Sequence, residues 1–347
     1  MRTTHRRILA ASVATAAVAT AMTGCRSSAS SSDDASATPK VSIMVGGIDK
    51  VIYLPAKLTE QLGYFKDAGV DVDLKTEPSG ASAENVMLAG KVDGVVGFYD
   101  HAITLQAQGK CVESVVQLAK VPGEAEVVAT KAGGVGSAAD FSGKRLGVTS
   151  PGSSTDYLTQ YLATKNGVDT SDYSTVTAGA GSTFIAALQN GGIDAGMTTD
   201  PTIATAVDKG LGKVMIDMRT EQGTRAALGG LYPAASLYMT CDYVQKNPKT
   251  VQKLADAFVK TMKWIDTHDA ADIAAKMPAD YNGGDPKLYE QSIQDSSPMF
   301  TTDGRMPDGG PETVLDVLGT FSDTVKAKKD SIDLSKTYTT NFVDDAS

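Results

Sequence analysis

The sequence predicts a two-lobed α/β protein with two parallel-core sheets. Short runs rich in Val, Ile and Leu alternate with segments of helical period that close on glycine, a pattern typical of βαβ units on a parallel sheet. The same order of landmarks occurs twice, with roughly 100 residues between the copies. The chain has 347 residues and 41% of them are hydrophobic, so it can bury two cores.

Residues 1–24 have the three parts of a secretory signal peptide. Three arginines precede an uncharged stretch, Ile8 to Met22, that stops at Thr23-Gly24-Cys25. The stretch is shorter than the roughly 20 residues that a membrane-spanning helix needs. A small residue followed by cysteine is similar to the bacterial lipobox, which predicts lipidation of Cys25. An ordinary cleavage site with an incidental cysteine is the alternative.

Residues 25–40 are expected to form a disordered tether, because this segment is mostly Ser, Ala and Asp and has no aromatic residue. The formal net charge of the whole chain is -9, and removal of a signal that contains three arginines makes it more negative. Such a protein is a poor partner for nucleic acid or for anionic lipid surfaces. The sequence therefore predicts an extracytoplasmic protein that meets the cell membrane only through its lipid anchor.

The two copies define a first lobe at residues 41–130 and a second lobe at residues 131–230. Strands are expected in the first lobe near 41–45, 70–74, 94–98 and 112–118. Strands are expected in the second lobe near 145–148, 175–177, 194–197 and 213–217. Two further strand-like runs, 126–130 and 234–240, are placed to carry the chain across and back, and together they predict a two-strand hinge.

Residues 231–347 are expected to form a return strand followed by helices that pack on the first lobe. Asn247-Pro248 provides a helix start. Five apolar residues follow at helical spacing, and core packing explains both this stripe and the single tryptophan, Trp264, better than a cofactor site does. The stripe consists of Val251, Leu254, Phe258, Met262 and Ile265.

Four motifs together resemble the nitrate/sulfonate/taurine-type substrate-binding proteins of ABC importers, which belong with thiamine-pyrimidine synthase-like (NMT1-like) proteins. They are Leu62-Gly63-Tyr64-Phe65-Lys66, Gly90-Lys91-Val92-Asp93, the segment from Phe141 to Val148, and Asn247-Pro248. The resemblance extends from about residue 41 to 343. It implies a monomer with a periplasmic-binding-protein-like (type II) fold and no cofactor. Such a protein closes on a small polar or anionic solute and delivers it to a cognate ABC permease and ATPase complex.

The strongest candidate for solute binding is the loop between a second-lobe strand and the following helix. Ligands of open parallel sheets bind beyond the carboxyl ends of strands, where loops enter helices. Gly152 allows close backbone approach, and Ser153, Ser154 and Thr155 offer hydroxyls and N–H groups that suit an anion. A simple helix cap is the alternative.

Other candidates follow the remaining strands of both lobes. In the first lobe they are Tyr53, Gly80, Ser82, Tyr99 and Asp100; in the second lobe they are Thr199 and Asp200. Helix capping is an equal explanation for Asp100 and the stronger one for Asp200. These loops contain no arginine, so the charge of the solute stays open, and the two aspartates would also suit a zwitterion or an amine-bearing heterocycle.

Cys111 and Cys241 remain after the lipobox cysteine is set aside. In the proteins that the chain resembles, the return strand runs antiparallel beside the fourth strand. That arrangement would put both cysteines at the end away from the cleft, and it implies a disulfide in an oxidising compartment. Two free buried thiols are the alternative.

Catalysis is disfavoured by the absence of the usual motifs. Thiamine-pyrimidine synthases share the expected fold, but they use a lysine-bound cofactor, a histidine and clustered cysteines. Outside the signal this sequence has only His101 and His268, and it has no HExxH, CxxC, Gly-x-Ser-x-Gly or P-loop motif. The sequence therefore predicts neither an enzyme nor a metal site, and a ligand-binding sensor lipoprotein is the main alternative to a transport protein.

Overall fold

In residues 38–346, which the computed structural model describes, ten strands form two mixed sheets flanked by helices. The predicted α/β class with two sheets is confirmed. The strands are β1 (Lys40–Val45), β2 (Asp71–Thr76), β3 (Gly94–Phe98), β4 (Val112–Gln117), β5 (Glu124–Ala129), β6 (Arg145–Val148), β7 (Ser174–Thr177), β8 (Ala195–Thr199), β9 (Gly212–Asp217) and β10 (Ala235–Thr240). The signal peptide and Cys25 lie outside the described residues.

The helices flank the sheets in the order that the alternating pattern predicts. They are α1 (Leu54–Gln61), α2 (Tyr64–Asp67), α3 (Gly80–Leu88), α4 (Asp100–Ala107), α5 (Ser154–Lys165), α6 (Ser182–Gln189), α7 (Thr202–Asp208), α8 (Glu221–Leu228), α9 (Cys241–Lys246), α10 (Pro248–Asp266), α11 (Ala270–Lys276), α12 (Pro286–Ser296), α13 (Gly310–Phe321), α14 (Asp323–Lys328) and α15 (Asn341–Asp344). None of those within residues 38–346 is both long and apolar enough to cross a bilayer.

The two sheets have the same design. The first has the strand order β2-β1-β3-β10-β4 and the second β7-β6-β8-β5-β9. In each sheet the first three strands of this order pair in parallel, and one antiparallel strand is inserted before the last strand. The internal repeat seen in the sequence therefore corresponds to a repeated sheet topology.

The inserted strands are β5 and β10. The chain enters β5 of the second sheet directly after β4 of the first sheet, and it returns to β10 of the first sheet after β9 of the second. β10 pairs with β3 and β4 of the first sheet, with Ala235 opposite Phe98. β5 pairs with β8 and β9 of the second sheet, although the predicted boundary at residue 130 assigns it to the first lobe. The chain thus crosses between the sheets in segments 118–123 and 218–234, which meet where the Gly123 N–H donates to the Met218 carbonyl at 3.1 Å.

Helix α10 packs against α1 and α2 beside the first sheet. Its stripe from Val251 to Ile265 is buried, and Phe258 meets Phe65 edge to face at a centroid distance of 5.3 Å. Trp264 is only half-buried and stacks on His268. Two later helices also contact helices beside the second sheet, because α12 packs on α7 and α13 packs on α5.

Cys111 and Cys241 form a disulfide, with their Cα atoms 5.4 Å apart. Cys111 directly precedes β4 and Cys241 directly follows β10, and these two strands are antiparallel neighbours. The Cys241 N–H also donates to the Cys111 carbonyl at 3.1 Å. The crosslink therefore fastens the returning chain to the edge strand of the first sheet.

Candidate functional site

A small cavity lies where the carboxyl ends of the parallel strands of both sheets face each other. Its volume is about 20 Å³, which is room for about one water-sized centre. The first half of the molecule contributes Lys50, Ile52, Tyr53, Gly80 and Phe98, and the second contributes Glu124, Thr149, Ser153, Ser154, Thr155 and Thr199. Residues from both sheets thus enclose one polar space.

Six of the residues that the sequence proposes for solute binding line this cavity. They are Tyr53, Gly80, Ser153, Ser154, Thr155 and Thr199. The other five lie outside its wall: Ser82, Tyr99, Asp100, Gly152 and Asp200. The structure therefore brings six of the predicted residues together at one cavity and places the other five behind or beside it.

The hydroxyls of the Ser/Thr loop at the start of α5 are engaged within the protein. Thr155 Oγ1 accepts from the Thr149 N–H at 2.9 Å, and Ser153 Oγ donates to the Ser150 carbonyl at 2.6 Å. Gly152 adopts a left-handed conformation with a φ of 78°, and its N–H donates to Asp156 Oδ2 at 2.8 Å. These bonds stabilise the loop and leave its hydroxyls with less capacity for an anion.

Asp100 is fully buried at the start of α4 and joins the two halves of the molecule. Its Oδ1 accepts from Ser154 Oγ at 3.0 Å, and its Oδ2 accepts from the Tyr232 hydroxyl at 2.8 Å. Burial raises the pKa of Asp100, while His101 and these two hydrogen bonds oppose that shift. Asp100 therefore acts as a bridge behind the cavity wall.

Asp200 caps a helix and pairs with an arginine that the sequence could not place. Its Oδ1 accepts from the Ala204 N–H at 3.0 Å, in accordance with the capping interpretation. Its Oδ2 accepts from Arg219 Nη1 at 3.0 Å and from Ser296 Oγ at 2.8 Å. Arg219 also pairs with Asp217 at 2.7 Å, so its guanidinium is held outside the cavity.

Tyr99 and Ser82 are likewise held by internal contacts. The Tyr99 ring is buried, and its hydroxyl is hydrogen-bonded to Thr337 in the C-terminal segment. Ser82 belongs to the first turn of α3, where its N–H donates to the capping oxygen of Ser79 and its Oγ accepts from that same hydroxyl at 2.9 Å. Both side chains therefore stabilise the first half of the molecule.

His101 lies behind Gly80 in the cavity wall. Its Nδ1 is 2.8 Å from Glu84 Oε2, and its Nε2 has no hydrogen-bond partner among the described residues. A Cβ at position 80 would lie 2.9 Å from this Nε2, so the buried imidazole requires glycine there. Burial lowers the pKa of His101, but Glu84 and Asp100 outweigh burial and raise it above 6.5.

Two ionisable residues in the cavity wall, Lys50 and Glu124, are not among the residues predicted from the sequence. Lys50 Nζ donates to the carbonyls of Gly46 and Pro78 at 2.7 and 3.1 Å, and burial lowers its pKa to about 8. Glu124 is 2% exposed, and burial, with the nearby Asp100 charge, raises its pKa well above the usual 4.5 against the opposing effect of Lys50.

A signal for Glu124 was present in the sequence. Glu124 and Glu126 are two acids in a strand that is otherwise Ala and Val. The strand-like run predicted at 126–130 includes Glu126 but begins after Glu124, and the hinge role predicted for it assigns its acid no part in the site. No group of three or more His, Cys, Asp or Glu side chains within residues 38–346 is arranged to hold a metal ion.

Comparison with known proteins agrees with this architecture. The family model described as NMT1/THI5 like matches residues 53–271. The chain is 23% identical over 247 residues to the putative binding protein YtlA of Bacillus subtilis (strain 168), covering 70% of this chain and 72% of YtlA.

Two solved structures resemble the whole fold. A protein from Bordetella bronchiseptica RB50 superposes with a TM-score of 0.83 and 34% identity, over 88% of this chain and 96% of that protein. The alkanesulfonate-binding protein SsuA from Xanthomonas axonopodis pv. citri, solved with bound MOPS, has a TM-score of 0.68 and 17% identity, over 83% and 94%. At that identity the second likeness concerns the fold alone.

Proposed function

The chain belongs to the NMT1/THI5-like family, and from that premise we propose that it is the solute-binding component of an ABC importer. In this proposal the protein captures a small polar solute between its two sheets and delivers it to a cognate permease and ATPase complex. It works as a monomer and performs no covalent chemistry. The observation that carries the proposal is the small polar cavity enclosed by strand ends of both sheets.

Contacts across the cleft support a closed form that a solute would stabilise. The Val51 N–H donates to the Asp200 carbonyl at 3.0 Å, and Ser154 bonds to Asp100. The cavity is too small for a solute to enter without separation of the two halves, and the crossing segments 118–123 and 218–234 are the natural hinge. A solute that contacts both halves binds the closed form more tightly and shifts the equilibrium toward it.

We further propose that the protein is anchored outside the cytoplasm through lipid on Cys25. Acyl chains add about 0.8 kcal/mol of membrane affinity per buried CH₂ group, and the polar segment before β1, residues 25–39, would allow the folded part to reach a permease. Cell fractionation tests this proposal. Wild-type protein should be found with membranes and carry the mass of the lipid, whereas Cys25→Ser should be released. Membrane retention of the Cys25→Ser protein would contradict the proposal.

Binding is tested by native mass spectrometry of protein purified from the producing cells and by thermal shift with the extracted solute. A ligand at about a hundredfold excess over Kd should stabilise the fold by roughly 2.7 kcal/mol. Thr199→Val should reduce this shift, whereas Thr175→Val, at an exposed site on β7, should not. Equal stabilisation of both variants would place the solute elsewhere.

Transport and sensing are separated by an uptake measurement. Deletion of the gene for this chain should abolish cellular uptake of the extracted solute, and so should deletion of its permease. Uptake that persists without the chain would favour the sensor alternative. Conversion of the solute by the purified protein, followed by mass spectrometry, would favour an enzyme.

A further inference from the structure

Two polar side chains of the cavity wall have hydrogen-bonding capacity that no residue in 38–346 uses. Glu124 Oε2 and Thr199 Oγ1 have no partner, although their residues are only 2% and 5% exposed. Glu124 and Thr199 are opposite each other in the antiparallel pairing of β5 and β8, so their side chains share one face of the sheet. An unpaired buried polar group is costly, so a bound group that pairs with these two atoms would be stabilised here.

The side chains that could receive an anion are already largely engaged. Lys50 is the single Lys or Arg residue in the described cavity wall, and two backbone carbonyls hold its ammonium group. The hydroxyls of Ser153, Ser154 and Thr155 are bonded to groups of the protein. Glu124 Oε2 therefore remains available to accept a hydrogen bond from a donor on the solute.

On the basis of the proposed binding function, we propose that the solute carries a protonated nitrogen, as in an amine, amidine or guanidine, which Glu124 and Thr199 bind directly. The carboxylate of Glu124 takes an N–H group in a charge-assisted hydrogen bond, and Thr199 Oγ1 accepts a second one. Lys50 remains bound to the carbonyls of Gly46 and Pro78.

The charges around Glu124 determine how binding depends on pH. Lys50 faces it from the loop after β1, Asp100 from α4, and Glu126 from its own strand. Tyr53 and Tyr232 also lie within its electrostatic reach. Burial raises the pKa of the Glu124 carboxyl, so a cation that binds the carboxylate competes with its proton. Affinity for a cation should therefore rise with pH, whereas an anion that accepts from the neutral acid should bind more weakly as pH rises.

Guanidinium and nitrate are suitable probes because they are planar ions of the same shape and opposite charge. Titration calorimetry on the full chain carrying Cys25→Ser compares the chloride and sodium salts at several pH values around neutrality. We expect guanidinium to bind, to release a proton on binding, and to bind more tightly at higher pH. Glu124→Gln should weaken it by about ten- to a hundredfold, the range of a charge-assisted bond.

A matched control is Glu113→Gln, because Glu113 lies on β4 and the pKa of its half-buried carboxyl is also raised by burial, but it does not line the cavity. This variant should keep wild-type affinity. Thermal melting without ligand reports whether Glu124→Gln is folded. Thr199→Val, which keeps the shape of the side chain, provides a second test of the same contact and should weaken guanidinium binding.

Native mass spectrometry of the solute retained by the wild-type protein decides between the outcomes. A nitrogen base whose affinity depends on Glu124 supports the inference. A retained anion without N–H groups, or nitrate binding that Glu124→Gln preserves, overturns the inference and keeps the proposed binding function. Failure to retain or bind any solute overturns the binding function itself.

Discussion

Ser154 Oγ donates to Asp100 Oδ1 at 3.0 Å and thereby joins helices that belong to different sheets. Ser154 begins α5 beside the second sheet, and Asp100 begins α4 beside the first. Tyr232, in the second crossing segment, donates to the other oxygen of the same carboxyl. One buried carboxyl therefore connects residues beside both sheets with the second crossing segment. In the proposed hinge motion, its bond to Ser154 exists only in the closed form.

Ser154→Ala should shift the empty protein toward an open form. Loss of one partner of a buried carboxyl costs about 1–3 kcal/mol, and only the closed form bears this cost. Small-angle scattering should show a larger radius of gyration, and distance measurements between dyes on the two halves should show a larger open fraction.

Ser150→Ala is the matched control for this prediction. Ser150 lies in the same loop, and its buried Oγ has no partner among the described residues. The control should therefore keep the wild-type open fraction. If both variants open to the same extent, the Ser154–Asp100 bond is not what holds the cleft closed.

The elements were predictable because their signals are local. Strands such as Gly94–Phe98 and Arg145–Val148 are short apolar runs closed by turn residues. This local apolar pattern is enough to predict a buried strand. The partners of single side chains were not predictable in the same way. Asp100 bonds to Ser154, and Tyr99 bonds to Thr337 across 238 positions. Such pairs are determined by how the packed elements meet, and no periodicity in the sequence records them.

Glu84→Gln should lower the pKa of His101. Although burial disfavours the charged imidazole, Glu84 at 2.8 Å and Asp100 raise its pKa above 6.5. The stability from this pair is present in full below the unfolded pKa of about 6.5 and is lost as pH rises through the folded pKa. Titration of the histidine ring signals by NMR measures the change, and His268→Gln assigns them. An unchanged His101 titration in Glu84→Gln would contradict the assignment of this pair.

Glu126→Gln should flatten the dependence of stability on pH. Both carboxyl oxygens of Glu126 are buried without a partner in residues 38–346, and burial raises its pKa to about 8. The folded state therefore keeps a proton that the unfolded chain has lost, so stability should fall as pH rises from about 4.5 to about 8. The slope from one such group is up to about 1.4 kcal/mol per pH unit.

Urea unfolding at several pH values measures the contribution of Glu126. The difference in unfolding free energy between wild type and Glu126→Gln should grow in favour of the variant as pH rises through this range. Glu290 is exposed on α12, so Glu290→Gln should reproduce the wild-type slope. Parallel curves for wild type and Glu126→Gln would mean that water or a neighbouring donor stabilises the charged carboxylate.

Reduction of the Cys111–Cys241 disulfide should destabilise the folded part strongly. The bond closes a loop with a sequence separation of 130, and it ties the edge strand β4 to the point where β10 leaves the first sheet. In the chain-entropy description, a loop of about this length restricts the unfolded state by roughly 4–5 kcal/mol. Urea unfolding of the Cys25→Ser chain, with and without dithiothreitol, should reveal a loss of this order.

The variant that also carries Cys111→Ser and Cys241→Ser should match the reduced protein and should not respond to the reductant. Cys111 lies at the start of β4 and Cys241 at the end of the antiparallel β10, whereas the cavity lies at the opposite, carboxyl ends of the parallel strands. Solute affinity at low urea should therefore be retained in the reduced protein. If reduction leaves the unfolding midpoint unchanged, the returning strand is held by its pairing with β3 and β4 alone, and the disulfide adds nothing to stability.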